Sequence, residues 1–394
     1  MGTEEEGSGF SGSVLFICNN LWPGYSDYFL SHSQMYVEIA YCNPWGNDSY
    51  LVKGRTFEGG KLTDTWVFGQ RIRRLMFYLR KLHPEILELF IGIYLFASIA
   101  RIGKRYDISV VASSLPFLLV IKTFGITRRL VYASGDVRLA VGSFPKRVLD
   151  YVVVSADKLM DNHSDSVWYL SRQMFDFKIQ HGVIKNSGIH RAVVGLPIEK
   201  YLGLEPSLVK RHSIVYMGTI SKGRGLDVLI AAIADLSKRV SDLSLIVIGQ
   251  VESSYAHVFD DTVRRSGCYG VVRVLGFLPN PWDIMSKCAF GVALYQNPVI
   301  RYTDSLKLKQ YIKCGLPVIC TDLPATAREI AEANAGLIIG SELKDLTSAM
   351  AKMLVDDSYW LQCKERVPNL FRKLEHDTLA AIGREFSFER SQVV

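Results

Sequence analysis

Ser305, Lys307 and Gln310 stand close together in the segment RYTDSLKLKQYIKCGLPVICTD, residues 301–322. The segment reads as a short helix, a turn at Cys314-Gly315, and the apolar run Leu316–Cys320. Thr303 or Asp304 is placed to cap the helix, which leaves the amides of Ser305, Leu306 and Lys307 pointing outward. Lys307 and Gln310 are three residues apart and share a face. Amides with a lysine suit a diphosphate, and a glutamine one turn on can hydrogen-bond a ribose or sugar hydroxyl. A capped helix with an ordinary surface lysine would read the same. The stretch GTISKGRG, Gly218 to Gly225, tips the balance because it falls in the same half of the chain. It directly follows the β-like run SIVYM and leads into the helical LDVLIAAIADL, so its glycines let the backbone at Gly218, Thr219 and Ile220 approach an anion. Lys222 and Arg224 can add charge, the arginine through two donors.

Other chemistry-bearing patterns are missing or misplaced. Gly7, Gly9 and Gly12 spell G-x-G-x-x-G, but ahead of the first strand, whereas a dinucleotide fingerprint must follow one. No Walker A string, HExxH or Asp-x-Asp occurs, and the eight histidines show no metal spacing, so no metal site is expected.

The elements that must hold these residues come in two series. The first comprises SVLFIC (13–18), MYVEIAY (35–41), DISVVAS (107–113), RLVYAS (129–134), YVVVSA (151–156) and RAVV (191–194). The second comprises SIVYMG (213–218), SLIVIG (244–249), VVRVLG (271–276), AFGVAL (289–294), LPVIC (316–320) and GLII (336–339). Near-continuous apolar strands alternating with helical segments predict α/β architecture, with parallel sheets covered on both faces. We therefore expect a flexible tail (1–12), a first doubly wound, Rossmann-like domain (13–196), a linker (197–212) and a second such domain (213–370). A C-terminal helix (371–394) is expected to pack back toward the first domain. Ligands of such sheets sit beyond the carboxyl ends of the strands.

A chain of 394 residues is long for one core. Its 48% apolar and 22% charged residues exclude wholesale disorder. The net charge of +7 suits an anionic substrate or membrane surface and is too dispersed to imply nucleic acid. Seven cysteines without a CxxC pair read as reduced core thiols of a cytoplasmic protein. The start, MGTEEEGSGF, is neither a secretory signal nor, with Glu6, a myristoylation signal. The longest uncharged apolar run, Leu89–Ala100, is too short to span a bilayer. The stretch RIRRLMFYLRK (71–81) is basic and amphipathic, fitting either an anionic membrane surface or a core-packed helix with a solvated face. The loop CNNLWPGYSDY (18–28) follows the first strand and is placed to touch donor or acceptor.

Ser305-Leu306-Lys307-Leu308-Lys309-Gln310-Tyr311 followed by Gly315-Leu316-Pro317-Val318, taken with Gly218–Gly225, resembles the donor domain of the GT-B glycosyltransferases. Within that fold it is similar to the membrane-associated glucuronosyltransferases of the xanthan type. The likeness extends to Asp304-Ser305, to Ala293-Leu294-Tyr295, to LVYASGD (130–136) and, thinly, to VVSADKLM (153–160). It implies a GT-B fold whose two Rossmann-like domains face a cleft, and an enzyme using a UDP-sugar, with UDP-glucuronic acid as a candidate, without a cofactor. Asp136 takes the role of general base; Ser305, Leu306, Lys307 and Gln310 bind the donor diphosphate and sugar, with Tyr295 close by. Gly249 and Gln250 border the nucleotide. The implied acceptor is a polyprenyl-diphosphate-linked saccharide at the cytoplasmic membrane face, where the protein would lie peripherally. Phe277 departs from the pattern, standing after Gly276 where those enzymes carry Glu. Retaining GT-B enzymes carry Glu-x7-Glu where this chain has Tyr302 and Gln310, which favours inversion. A retaining transferase, a nucleotide-sugar epimerase and a non-catalytic nucleotide-sugar-binding scaffold remain as alternatives.

Overall fold

The computed structural model describes residues 10–18, 23–41, 52–68, 95–100, 102–112, 119–135, 137, 146–195 and 200–387. The chain divides into two compact units, Met1–Gly195 with Leu379–Val394, and Leu196–Thr378.

In the first unit the described strands are β1 (Phe10–Cys18), β2 (Ser33–Tyr41), β3 (Val52–Glu58), β4 (Lys61–Phe68), β5 (Tyr106–Ala112), β6 (Thr127–Ser134), β7 (Ser166–Tyr169) and β8 (His190–Val193). They form one sheet in the order β4-β3-β2-β1-β5-β6-β7-β8. From β2 to β8 neighbours run parallel, and β3 and β4 add an antiparallel edge. Central strands of such a sheet are buried on both faces, so β1 reads as the unbroken apolar run Val14–Cys18, with no exposed residue.

Three features differ from expectation. The run Tyr151–Ala156, whose valines predict a strand, lies inside the helix Lys146–His163. A parallel β6–β7 step needs a crossover, and this helix supplies it. Its buried positions Asp157, Met160 and Asp161 recur at three and four residues, so the helical burial pattern overrides β propensity. The strand after that helix is β7, with the sequence SVWY, fully buried and too short to stand out. The β3–β4 hairpin, also unforeseen, turns at Gly59-Gly60, both with positive φ as a two-residue turn of that hand demands.

The strands of the second unit are β9 (Lys210–Met217), β10 (Ser244–Ile248), β11 (Val272–Gly276), β12 (Cys288–Ala293), β13 (Val318–Thr321) and β14 (Gly336–Ile339), close to the predicted runs. All pair in parallel, in the order β11-β10-β9-β12-β13-β14. Alternate residues of β9 enter different cores. Ile214 and Tyr216 pack with the helices Leu226–Leu236 and Leu343–Val355. Val215 packs with the helix Leu306–Lys313 and with Val367–Leu374 of the helix Asp357–Ser387. Both faces are thus covered, as a doubly wound sheet requires.

The last turns of Asp357–Ser387 contribute Ala381, Ile382 and Phe386 to the core of the first unit. There the buried Glu385 pairs with Arg129 and with His190, the latter at 3.0 Å. The six described cysteines, Cys18, Cys268, Cys288, Cys314, Cys320 and Cys363, are buried and unbridged.

Candidate functional site

In the second sheet, strand order reverses direction between β9 and β12, the switch point beyond which doubly wound sheets bind ligands. Three loops meet at that end. Gly218 N donates to Ile248 O (2.8 Å), Ile220 N to Gln250 O (2.9 Å), and Gly249 N to Gly276 O (2.8 Å). This lacing holds Gly218, Thr219, Ile220, Gly249 and Gln250 together. The approach demands glycine at 249, where φ is +149° and a Cβ would lie 1.9 Å from Gly218 O. Gly225, at φ +73°, opens the helix Leu226–Leu236, and a Cβ there would meet Leu294 Cβ at 2.6 Å.

The helix Leu306–Lys313 is seated by Tyr311, whose hydroxyl donates to Val292 O (3.0 Å) and accepts from Met217 N (2.8 Å). Gly291 makes room, since a Cβ there would lie 2.6 Å from the Tyr311 ring. The cap is Ser305 and not Thr303 or Asp304. Ser305 Oγ accepts from Leu308 N (3.3 Å) and is hydrogen-bonded to the Tyr295 hydroxyl. Asp304 is drawn inward by Lys309 (3.3 Å) and by the Thr326 hydroxyl, and its Oδ1 accepts from Ser305 N (2.8 Å). Thr303 turns its hydroxyl back to Ile300 O (3.3 Å). The amides of Leu306 and Lys307 therefore remain as the outward-facing donors of the first turn. The Ser305 side chain is spent on the cap.

Lys307 is half-buried, with Nζ 4.6 Å from the centroid of Tyr216 and 5.5 Å from that of Tyr295. A Cβ on Gly218 would lie 3.0 Å from Lys307 Nζ. Among the described residues no carboxylate comes within ion-pair distance of this ammonium. Burial, and then the nearby Arg224 guanidinium, lower its pKa to about 8. Beside it Tyr216 is fully buried, its hydroxyl without a hydrogen-bond partner and pushed up to about 12 by burial. Burial also raises the Tyr295 phenol. Lys222 and Arg224 are exposed, Gln310 is half-buried on the same helix, Leu306 is exposed, and Phe277 is 74% exposed just past β11. The arrangement brings amides, one desolvated ammonium and a guanidinium to the same end of the sheet, which suits a diphosphate.

Sequence reasoning assigned no role to Tyr216, and none to Tyr311 or Gly291. Tyr311 carried a signal, because Leu308, Tyr311 and Ile312 form an apolar stripe at helical spacing. Tyr216 carried none beyond lying in an apolar strand. Asp136 and the segment 71–81 lie outside the described residues, as do residues 19–22 of the loop 18–28. Among the described residues no cluster of three His, Cys, Asp or Glu side chains is placed to hold a metal ion, and no helix is long and apolar enough to cross a membrane.

The fold is that of the GT-B glycosyltransferases, two Rossmann-like α/β units. Residues 211–356, all within the second unit, match the family described as glycosyl transferases group 1. Family match and fold together support a glycosyltransferase. No curated protein sequence matches the chain. Among solved structures it is similar to sucrose-phosphate synthase from Thermosynechococcus elongatus, with TM-score 0.67 and 12% identity over 95% of this chain and 99% of that one. It is similar to Anabaena Alr3699/HepE, determined with UDP and glucose, with TM-score 0.64 and 14% identity over 97% and 100%. A third similar structure is the pneumococcal O-GlcNAc transferase GtfA with UDP and GlcNAc, with TM-score 0.59 and 12% identity. There the match covers 87% of this chain but 66% of GtfA, so the chain spans about two thirds of that relative.

Proposed function

We propose that this protein transfers a sugar from a UDP-sugar to a saccharide carried on a polyprenyl diphosphate, with inversion at the anomeric carbon. The observation that carries the donor half is Lys307, a desolvated ammonium with no carboxylate partner among the described residues, set beside Gly218 and Arg224 at the switch point. A group so placed is stabilised by an incoming anion, and a departing diphosphate brings one. Lys307, Arg224 and the amides of Leu306 and Lys307 would then stabilise the leaving group, supplying charge that a metal would otherwise bring. UDP as the nucleotide is supported by the ligands of HepE and GtfA. Gln310 is placed one turn beyond Lys307 for a ribose or sugar hydroxyl, and Gly249 and Gln250 border the nucleotide.

The acceptor half rests on the resemblance to xanthan-type glucuronosyltransferases. That resemblance makes Asp136 the base that deprotonates the acceptor hydroxyl, glucuronic acid a candidate sugar, and the basic stretch 71–81 a contact for an anionic membrane on its cytoplasmic face. Inversion is favoured because Tyr302 and Gln310 stand where retaining enzymes carry glutamates.

The test is a thermal-shift panel of nucleotide sugars, followed by transfer from the radiolabelled donor to lipid-linked acceptor in wild type and Asp136→Asn. One UDP-sugar should stabilise the chain by mass action, about 2.7 kcal/mol at a hundred times Kd. The product should carry the inverted anomeric configuration by NMR. Asp136→Asn should abolish transfer while UDP affinity stays unchanged. A free epimer, a retained anomer, or binding without turnover would each sink the corresponding part of the reading.

A further inference from the structure

Several buried side-chain polar atoms of the described residues lack a hydrogen-bond partner, and Tyr216 Oη is the one at the carboxyl ends of the second sheet. A buried tyrosine hydroxyl normally finds a partner, because leaving it unpaired costs its full desolvation. Phenylalanine would fill the same space at no such cost. The orphan lies where a ligand would come: a Cβ on Gly218 would be 3.8 Å from Tyr216 Oη and 3.0 Å from Lys307 Nζ. With no side chain at 218, the backbone there lies close to a neutral and a charged donor together. The ring has a separate duty, carrying the Lys307 ammonium 4.6 Å from its centroid.

We propose that the Tyr216 hydroxyl donates a hydrogen bond to the diphosphate of the bound donor, meeting it together with Lys307 above Gly218. This rests on the diphosphate reading of the site and adds a residue to it. Because burial pushes the phenol up to about 12, the hydroxyl keeps its proton at a pH where Lys307 loses charge. Tyr216 is therefore the donor that does not switch off, and it needs no counter-ion in the empty site.

Tyr216→Phe keeps the ring and removes only the hydroxyl. Apo melting temperature and calorimetric affinities for UDP, UMP and inorganic pyrophosphate are to be compared with wild type. The expected result is a loss of about tenfold in UDP affinity, the scale of one hydrogen bond to a charged group, with a smaller loss for UMP. The apo melting temperature should be unchanged or slightly raised, since an unsatisfied hydroxyl has left the core. UDP affinity within about twofold of wild type would overturn the proposal. So would a clear fall in the apo melting temperature, which would mean the hydroxyl serves the fold. If wild type binds pyrophosphate but not UDP, and Tyr216→Phe weakens pyrophosphate tenfold, the hydroxyl's role stands and the uridine nucleotide is wrong. If wild type binds neither, both readings fall.

Discussion

Two lysines, Lys178 in the first unit and Lys307 in the second, each lie between two tyrosine rings. Lys178 Nζ is 5.7 Å from the centroid of Tyr132 and 5.5 Å from that of Tyr169, and Lys307 Nζ is 4.6 Å from Tyr216 and 5.5 Å from Tyr295. What differs is the anion. Lys178 is 2% exposed, bonds Asp157 at 2.9 Å and Asp161 more closely, and donates to Ser134 Oγ at 2.8 Å. The tyrosines there are satisfied as well, Tyr132 by Asp157 and Tyr169 by Asp161. Burial pulls the Lys178 pKa down, but the charges of Asp157 and Asp161 outweigh it and the net shift is upward. At Lys307 burial acts with no carboxylate among the described residues against it, Arg224 pushes the same way, and the pKa falls to about 8. One constellation is complete within the fold. The other has no anion among the described residues, the place that the proposed donor diphosphate would take.

Lys178→Met should cost the fold most. Removing the cation strands two buried carboxylates, and denaturant unfolding should show about 3–5 kcal/mol of lost stability. A loss under about 1 kcal/mol would mean the network is not the closed charge cluster described here.

Lys307→Met should behave oppositely. The empty protein should melt a few degrees higher, because a desolvated charge without a partner has been removed. UDP affinity should fall by about a hundredfold, the scale of a buried charge-assisted contact. A variant that melts lower, or that binds UDP normally, would remove Lys307 from the donor site.

The two lysines should also differ, more modestly, in their response to pH. Lys307 has a folded pKa below its ordinary value, so the native protein binds fewer protons than the unfolded chain between about 8 and the ordinary lysine pKa. Apo stability should therefore gain from this group as pH rises through that window. Donor affinity runs the other way: a bound anion favours the charged form, so UDP affinity should weaken as pH rises through about 8, by up to tenfold per unit. Calorimetry from pH 7 to 9.5 measures this, and a flat profile in wild type would contradict it. Lys178, already paired, should contribute no such slope.

The second unit was far more legible in the sequence than the first. Its strands fall close to the predicted runs, because each is an apolar stretch between glycine-rich turns and amphipathic helices, and the local pattern agrees with the global one. In the first unit Tyr151–Ala156 misleads, since three valines carry β propensity while burial at Asp157, Met160 and Asp161 demands a helix. The buried polar residues of that stripe, paired with Lys178 from another helix, look like a solvated face until the partner is known. SVWY and the Gly59-Gly60 hairpin were legible in principle but too short or too polar to stand out.

By itself the sequence determined the doubly wound class, the glycines of Gly218–Gly225, and Lys307 on a first helical turn, because these follow from local periodicity and backbone freedom. It offered Thr303 or Asp304 as the cap, and the actual cap, Ser305, was beyond it. That depended on Lys309 and Thr326 drawing the aspartate inward, with Thr326 contributed by another helix. Nor could it separate Lys178 from Lys307, or single out Tyr216. Whether a buried charge or hydroxyl has a partner is a property of distant segments brought together, and only the tertiary structure decides it.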